Sequence, residues 1–178
     1  MIFAVVGPSG AGKDTLIDGA CAARPDLTRV RRVITRPEAA GGEDFEGVPE
    51  AEFAARMARG DFALDWQAHG LRYGIPVQAL RGPGNVIFNG SRAALVAAQT
   101  RLPGLRVIVV TAPVAILAQR LAARGRETAT DIAQRLDRAG FTLPDGIAAQ
   151  VVQNDAAPRI GVERLLAALQ APPLSPRG

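Results

Sequence analysis

Hydrophobic positions in this chain come in continuous runs more than in alternation. Ile2–Val6, Asn85–Phe88 and Leu105–Thr111 are apolar or nearly so and rich in β-branched side chains, and Ala149–Asn154 has a Val-Val centre between polar residues. Runs of this kind suit strands buried on both faces of a parallel sheet. Between them, helical patterning covers Lys13 to about Ala23, Ser91–Thr100, Val114–Ala123, Ala129–Ala139 and Val162–Leu169. Strands and helices alternating over short links predict an α/β fold with a mainly parallel sheet.

One region breaks the alternation. Arg32 to about Leu80 contains "RRVITRPEAAGGEDFEGVPEAEF", rich in Gly, Pro and charge, and then "DWQAHGLRYGIP", which holds the only Trp, His and Tyr of the chain. A polar insertion between core strands persists in a compact domain chiefly when it has work to do, so it is expected to be a subdomain that covers a substrate. The closing "APPLSPRG" cannot continue a helix and is expected to fray.

Composition narrows the classes. With 178 residues, 48% of them hydrophobic, one core is expected and hardly two. No stretch approaches the ~18 apolar residues of a membrane span. The first residues enter a strand without a charged leader or a small-residue cleavage site. A soluble, cytoplasmic protein without membrane association is expected. Cys21 is the single cysteine, expected to be structural, and no internal disulfide is possible. The net charge of +4 admits anionic partners, but aromatic residues at 4% leave the basic excess without stacking platforms, so nucleic acid is not expected.

Of the 21 basic residues, one is lysine, and it is Lys13 in "GPSGAGKDT", directly behind the first apolar run. Gly7, Pro8, Ser9, Gly10, Ala11, Gly12 and Lys13 spell G-x-x-x-x-G-K between a predicted strand and a predicted helix. That is the setting of a phosphate-binding loop, whose backbone amides and helix N-terminus point at phosphate oxygens. The loop needs a compact ammonium on a flexible stem, which a planar guanidinium replaces poorly. In an arginine-rich chain, the lone lysine stands where that need is strongest. The residue after it departs from the motif: Asp14 stands where Ser or Thr is usual, followed by Thr15.

Over nearly its full length the chain resembles the guanylate kinases, through "GPSGAGK", "ITRP", "EAEF", "YGIP", "RLAARGRETATDIAQRL" and "VVQND". The resemblance implies a three-layer nucleoside-monophosphate-kinase fold in one domain. Its core would be 1–31, 81–120 and 140–170, with an acceptor-binding subdomain at about 32–80, a helical lid at about 121–139 and a tail at 171–178. It also implies roles by matching position. Arg36 and Tyr73 would hold acceptor phosphate; Arg120, Arg124 and Arg135 would meet the polyphosphate of ATP, the latter two with Lys13 as catalytic groups; Asn154 would lie by the nucleobase. Phosphoryl transfer agrees with such a set, because it consists mostly of positioning and charge neutralisation.

Departures from that family point elsewhere. Ala39 and Phe45 stand where a second arginine and a tyrosine are usual, and "NGS", Asn89–Ser91, replaces an acidic D-x-D. A guanine site without those partners loses most of its discrimination. With "GKDT", "WQAHGLRYGIP" and "NGSR", the chain resembles instead the ribose 1,5-bisphosphate phosphokinases of phosphonate catabolism, which form 5-phosphoribosyl 1-diphosphate. The expected acceptor is therefore a small phosphorylated sugar, with ATP and Mg²⁺. A guanylate kinase and a non-catalytic interaction module are the alternatives. His69, Asn89, Ser91 and Arg92 join the expected acceptor contacts. His69 is not needed as a base, since an acceptor phosphate is already ionised. Asp14 and Thr15 are the expected Mg²⁺ ligands, Asp14 supplying the carboxylate missing at Asn89; the alternative is that it only complements the helix dipole. Trp66 and Tyr73 either pack the subdomain or touch substrate, and Arg31, Arg32 and Arg126 are expected to be solvated charges.

Overall fold

The computed structural model of the chain describes residues 1–40, 43–123 and 141–174. Its core sheet has the order β2-β7-β1-β8-β9, from Leu27–Arg29 (β2), Asn85–Asn89 (β7), Ile2–Val6 (β1), Arg106–Thr111 (β8) and Ala149–Gln153 (β9). Every neighbouring pair is parallel. The continuous apolar runs have a plain cause: Phe3 and Val5 face one side of β1, Ala4 and Val6 the other, and all are at most 1% exposed.

On the first side, Phe3, Val5, Ile108 and Val110 pack on α1 (Lys13–Ala23), α4 (Val114–Ala123) and α5 (Pro158–Gln170) through Leu16, Ile17, Leu117 and Leu165. Helices α1 and α5 approach closely because a Cβ at Gly161 would come within 2.7 Å of Leu16. Pro158 opens α5 at a position where a missing N–H costs nothing. At its other end, the Arg106 guanidinium donates to the carbonyls of Ala168, Leu169 and Ala171, which have no partner within the helix.

The other side of the sheet is covered by α3 (Leu95–Arg101) and by a second, four-stranded sheet. That sheet, ordered β4-β3-β6-β5, is built from β3 (Arg32–Ile34), β4 (Phe45–Gly47), β5 (Phe62–Ala68) and β6 (Leu71–Pro76). α2 (Glu50–Ala58) lies between β4 and β5 in sequence and anchors through Phe53, 1% exposed. The insertion is thus not parallel: β6 pairs antiparallel with both β3 and β5, while β3 and β4 run parallel. The expected helix at Ser91–Thr100 opens as a 3-10 turn, Arg92–Ala94, before α3. The expected helix at Ala129–Ala139 lies outside the described residues. No described helix is long and apolar enough to cross a membrane.

Candidate functional site

The loop between β1 and α1 curls through Gly10 and Gly12, both left-handed at φ 84° and 86°. Lys13 leaves the first turn of α1 and folds back, its Nζ donating to the carbonyls of Gly7 (2.9 Å) and Pro8 (3.1 Å). The ammonium therefore stands over the loop whose amides would receive phosphate.

Two residues far away in sequence brace that loop from below. Asn154, 5% exposed, donates from Nδ2 to the Ala11 carbonyl at 2.8 Å. Arg120 donates to the carbonyls of Asn154 (2.9 Å) and Ala11 (3.4 Å). A Cβ at Gly12 would lie 2.6 Å from Asn154 Nδ2, so the fit needs glycine. Together with Gly10, Thr15, Ala123 and Pro158 these residues line a cavity of about 270 Å³ beside the loop. That places the expected nucleotide residues Arg120 and Asn154 in one site with the loop, but as its braces. Asn154 Oδ1 is buried close to Gly161 and has no hydrogen-bond partner among the described residues.

On the other side of α1 lies a cluster of charge. Asp14 Oδ1 accepts from Arg29 Nη2 (2.7 Å) and Asn89 Nδ2 (3.0 Å). Arg29 also pairs with Asp18, and reaches Glu43 at 3.7 Å. Glu43 is in turn the anion of Arg32, which is 7% exposed and donates from Nη1 to the Asn89 carbonyl at 2.8 Å. Arg32 lies over the rings of Tyr73 (5.2 Å) and Trp66 (5.9 Å), which stack on each other with 4° between their planes. The expectation of a solvated Arg32 is corrected here; Arg31, half exposed and paired with Asp44 and Glu38, fits it.

The remaining acceptor candidates separate. Arg36 lies over Phe45, 4.3 Å from the ring centre, just past the strand that pairs with Tyr73. Burial raises the Tyr73 phenol above its ordinary value, against the opposing pull of Arg32 and Arg36. Ser91 stands at the N-cap position of the 3-10 turn after β7 without a side-chain capping bond, and Arg92 reaches Phe141 and the Thr142 carbonyl at 3.4 Å. His69 is exposed at the tip of the β5–β6 hairpin with φ 53°, followed by Gly70 at φ 73°. Two positive φ angles are what a two-residue hairpin turn demands, so the backbone role of His69 is settled by the turn. Arg124, Arg135 and Arg126 lie outside the described residues.

No family model matches the chain. A stand-alone ribose 1,5-bisphosphate phosphokinase of Ruegeria sp. is 49% identical across 96% of this chain and 92% of its own. The chain belongs to the ribose 1,5-bisphosphate phosphokinase family. A second member, from Pseudomonas fluorescens, is 46% identical over 93% of this chain and 92% of its own. The bifunctional ribose 1,5-bisphosphokinase–thymidine phosphorylase of Cupriavidus necator is 49% identical, and the chain spans only 29% of it. Among solved structures, guanylate kinase from Anaplasma phagocytophilum superposes at a TM-score of 0.65 with 16% identity, covering 97% of this chain and 87% of that one. A gluconokinase from Sinorhizobium meliloti gives 0.52 at 17% identity, covering 94% and 90%. The chain thus shares its fold with that guanylate kinase and that gluconokinase.

Among the described residues of this family member, no three His, Cys, Asp or Glu side chains gather to hold a metal ion. The fit to Mg²⁺ rests on Asp14, because Thr15, the other expected ligand, lines the cavity with Arg120 and Asn154 instead. Asp14 keeps 35% of its side chain exposed, and its Oδ2 accepts only a longer contact from Asn89, 3.2 Å. One free carboxylate lone-pair site beside a phosphate loop suits an ion held mainly by phosphate and water. Arg29, absent from the expected site, was hidden because nothing in its local sequence shows that three carboxylates converge on it.

Proposed function

We propose that the chain transfers the γ-phosphoryl group of ATP to ribose 1,5-bisphosphate, giving 5-phosphoribosyl 1-diphosphate and ADP. A 1-phosphate oxygen of the sugar attacks the γ-phosphorus, the bond from that phosphorus to the β,γ-bridging oxygen breaks, and the charge leaves on ADP. The 49% identity with a stand-alone kinase of that name over nearly both chains carries the reading. The geometry supports it: a phosphate loop with Lys13 on one side of the Asp14–Arg29–Glu43–Arg32 cluster, and on the other the arginine- and aromatic-lined sheet holding Arg36 and Tyr73.

Each residue then has a task. Lys13 neutralises the β- and γ-phosphates as a movable point charge. Asn154 and Arg120 fix the loop, so its amides need no reorganisation during transfer. Arg36 and Tyr73 hold acceptor phosphate, with Ser91 and Arg92 at the C-terminal end of β7, where ligands gather in open α/β sheets. Arg124 and Arg135 meet the transferring group. Mg²⁺, entering with ATP, would be held by Asp14 with water, and would supply charge neutralisation on the phosphates. The bound acceptor needs no general base from His69.

The test is product identity. Phosphorus NMR of a mixture of protein, Mg²⁺, ATP and ribose 1,5-bisphosphate should show coupled diphosphate doublets of a new sugar species together with ADP. Unchanged ribose 1,5-bisphosphate alongside ready conversion of GMP to GDP would refute the proposal.

A further inference from the structure

Arg32 is the one charged side chain among the described residues that is buried outright, and its surroundings leave little doubt about what it holds. Nε donates to Glu43 at 3.1 Å, Nη2 to the other oxygen of the same carboxylate, and Nη1 to the Asn89 carbonyl at 2.8 Å. Its Cζ lies over the rings of Tyr73 and Trp66. A buried ion pair is weak evidence for stability, since an apolar pair of similar volume commonly folds as well or better. The fold alone therefore does not account for a guanidinium here.

What the guanidinium does uniquely is touch three elements at once. The β5–β6 hairpin bears Tyr73, the end of β7 bears Asn89, and Glu43 lies in the connection before β4. Two of these lead back to the phosphate loop, because the Asn89 amide and Arg29, the second cation on Glu43, both bind Asp14 beside Lys13. A planar fork fixes direction as well as distance, which a single ammonium does not.

Building on the phosphotransfer reading above, we infer that Arg32 is a positioning residue that sets the acceptor-binding sheet against the phosphate loop, so that acceptor affinity depends on it while ATP affinity does not. It acts through Tyr73, Asn89 and Glu43 and does not touch the reacting atoms. A residue serving stability alone would lower the melting temperature and disturb both substrates alike.

The experiment compares wild type, Arg32→Lys and the double variant Arg32→Met with Glu43→Gln, which removes both charges of the pair and keeps volume. Steady-state kinetics should show the KM for ribose 1,5-bisphosphate raised more than about tenfold in the double variant, less in Arg32→Lys, with the KM for ATP within about twofold of wild type. The melting temperature should stay near that of wild type in the double variant. Trp66, the only tryptophan and part of the stack, gives a second readout. Its fluorescence is titrated with ribose 1,5-bisphosphate and, separately, with GMP. If wild type turns over only GMP, the substrate reading fails, yet the GMP dissociation constant should still rise about tenfold in the double variant. Unchanged acceptor affinity in a folded double variant, equal losses for both substrates, or no acceptor-dependent signal in wild type would each overturn the inference.

Discussion

Replacing Asn154 by alanine separates a brace from a nucleobase contact. The side chain is 5% exposed, and its Nδ2 donates to the Ala11 carbonyl at 2.8 Å. The backbone of Asn154 is held independently, its N–H by Thr111 at 2.7 Å and its carbonyl by Arg120 at 2.9 Å. Alanine keeps those bonds and leaves the buried Ala11 carbonyl with only the longer Arg120 contact of 3.4 Å. Losing one partner of a buried hydrogen bond costs about 1–3 kcal/mol. At ~2 kcal/mol, and ~2–4 °C per kcal/mol for a chain of this size, the melting temperature should fall by about 4–8 °C. Calorimetric unfolding measures that. Binding of ATP, GTP and tripolyphosphate should weaken by one common factor, because what loosens is the loop that holds phosphate. A melting temperature within 1 °C of wild type (about a quarter of the smallest expected drop), with a loss confined to ATP, would refute the brace and restore Asn154 to the nucleobase.

Three further outcomes are expected. Lys13→Ala should lower kcat/KM by at least about a thousandfold, ~4 kcal/mol of barrier, and a loss under tenfold in a coupled ADP-release assay would contradict its role. Asp14→Ala should raise the Mg²⁺ concentration for half-maximal rate, while Arg29→Ala, which releases an oxygen now bound at 2.7 Å, should lower it; equal midpoints in calorimetric Mg²⁺–ATP titrations would confine Asp14 to its bonds with Arg29 and Asn89. Tyr73, the only tyrosine, should ionise above the ordinary value near 10 in an ultraviolet absorbance titration. Since the folded value is the raised one, the neutral phenol's contribution to stability is complete below pH ~10 and fades as pH climbs through that higher value; a midpoint at or below 10 would contradict its burial.

The core was legible because its signals are local. A strand buried on both faces must be apolar throughout, so β1, β7 and β8 stand in the sequence within a residue of their observed bounds, and the edge strand β9 does so through Val151 and Val152. The phosphate loop was legible for the same reason, since glycines, Lys13 and the opening of α1 are contiguous. The insertion was legible only as an exception. Its strands β3 and β4 span three residues each, too short for periodicity, and β2 likewise escaped notice. Helix α2 was missed because the nine-residue segment is short and buries only Phe53. Arg32 looked solvated because its neighbours Arg31 and Val33 say nothing of Glu43, Tyr73 or Asn89, which reach it only through the fold. Asn154 and Asp14 were placed at the site, but their partners Ala11 and Arg29 depend on packing that no short motif encodes.

The acceptor decides the account. With ATP and Mg²⁺ held constant, ADP release should be followed for ribose 1,5-bisphosphate and GMP side by side across their full concentration ranges. The β7 terminus presents Asn89, whose amide is already committed to Asp14, and offers no carboxylate to a guanine. A site built to hydrogen-bond one acceptor rejects another that leaves its polar groups unpaired by on the order of 10⁴-fold. The kcat/KM for ribose 1,5-bisphosphate should therefore exceed that for GMP by at least about a thousandfold, a margin below that full loss. Equal values, or a preference for GMP, would contradict the assignment.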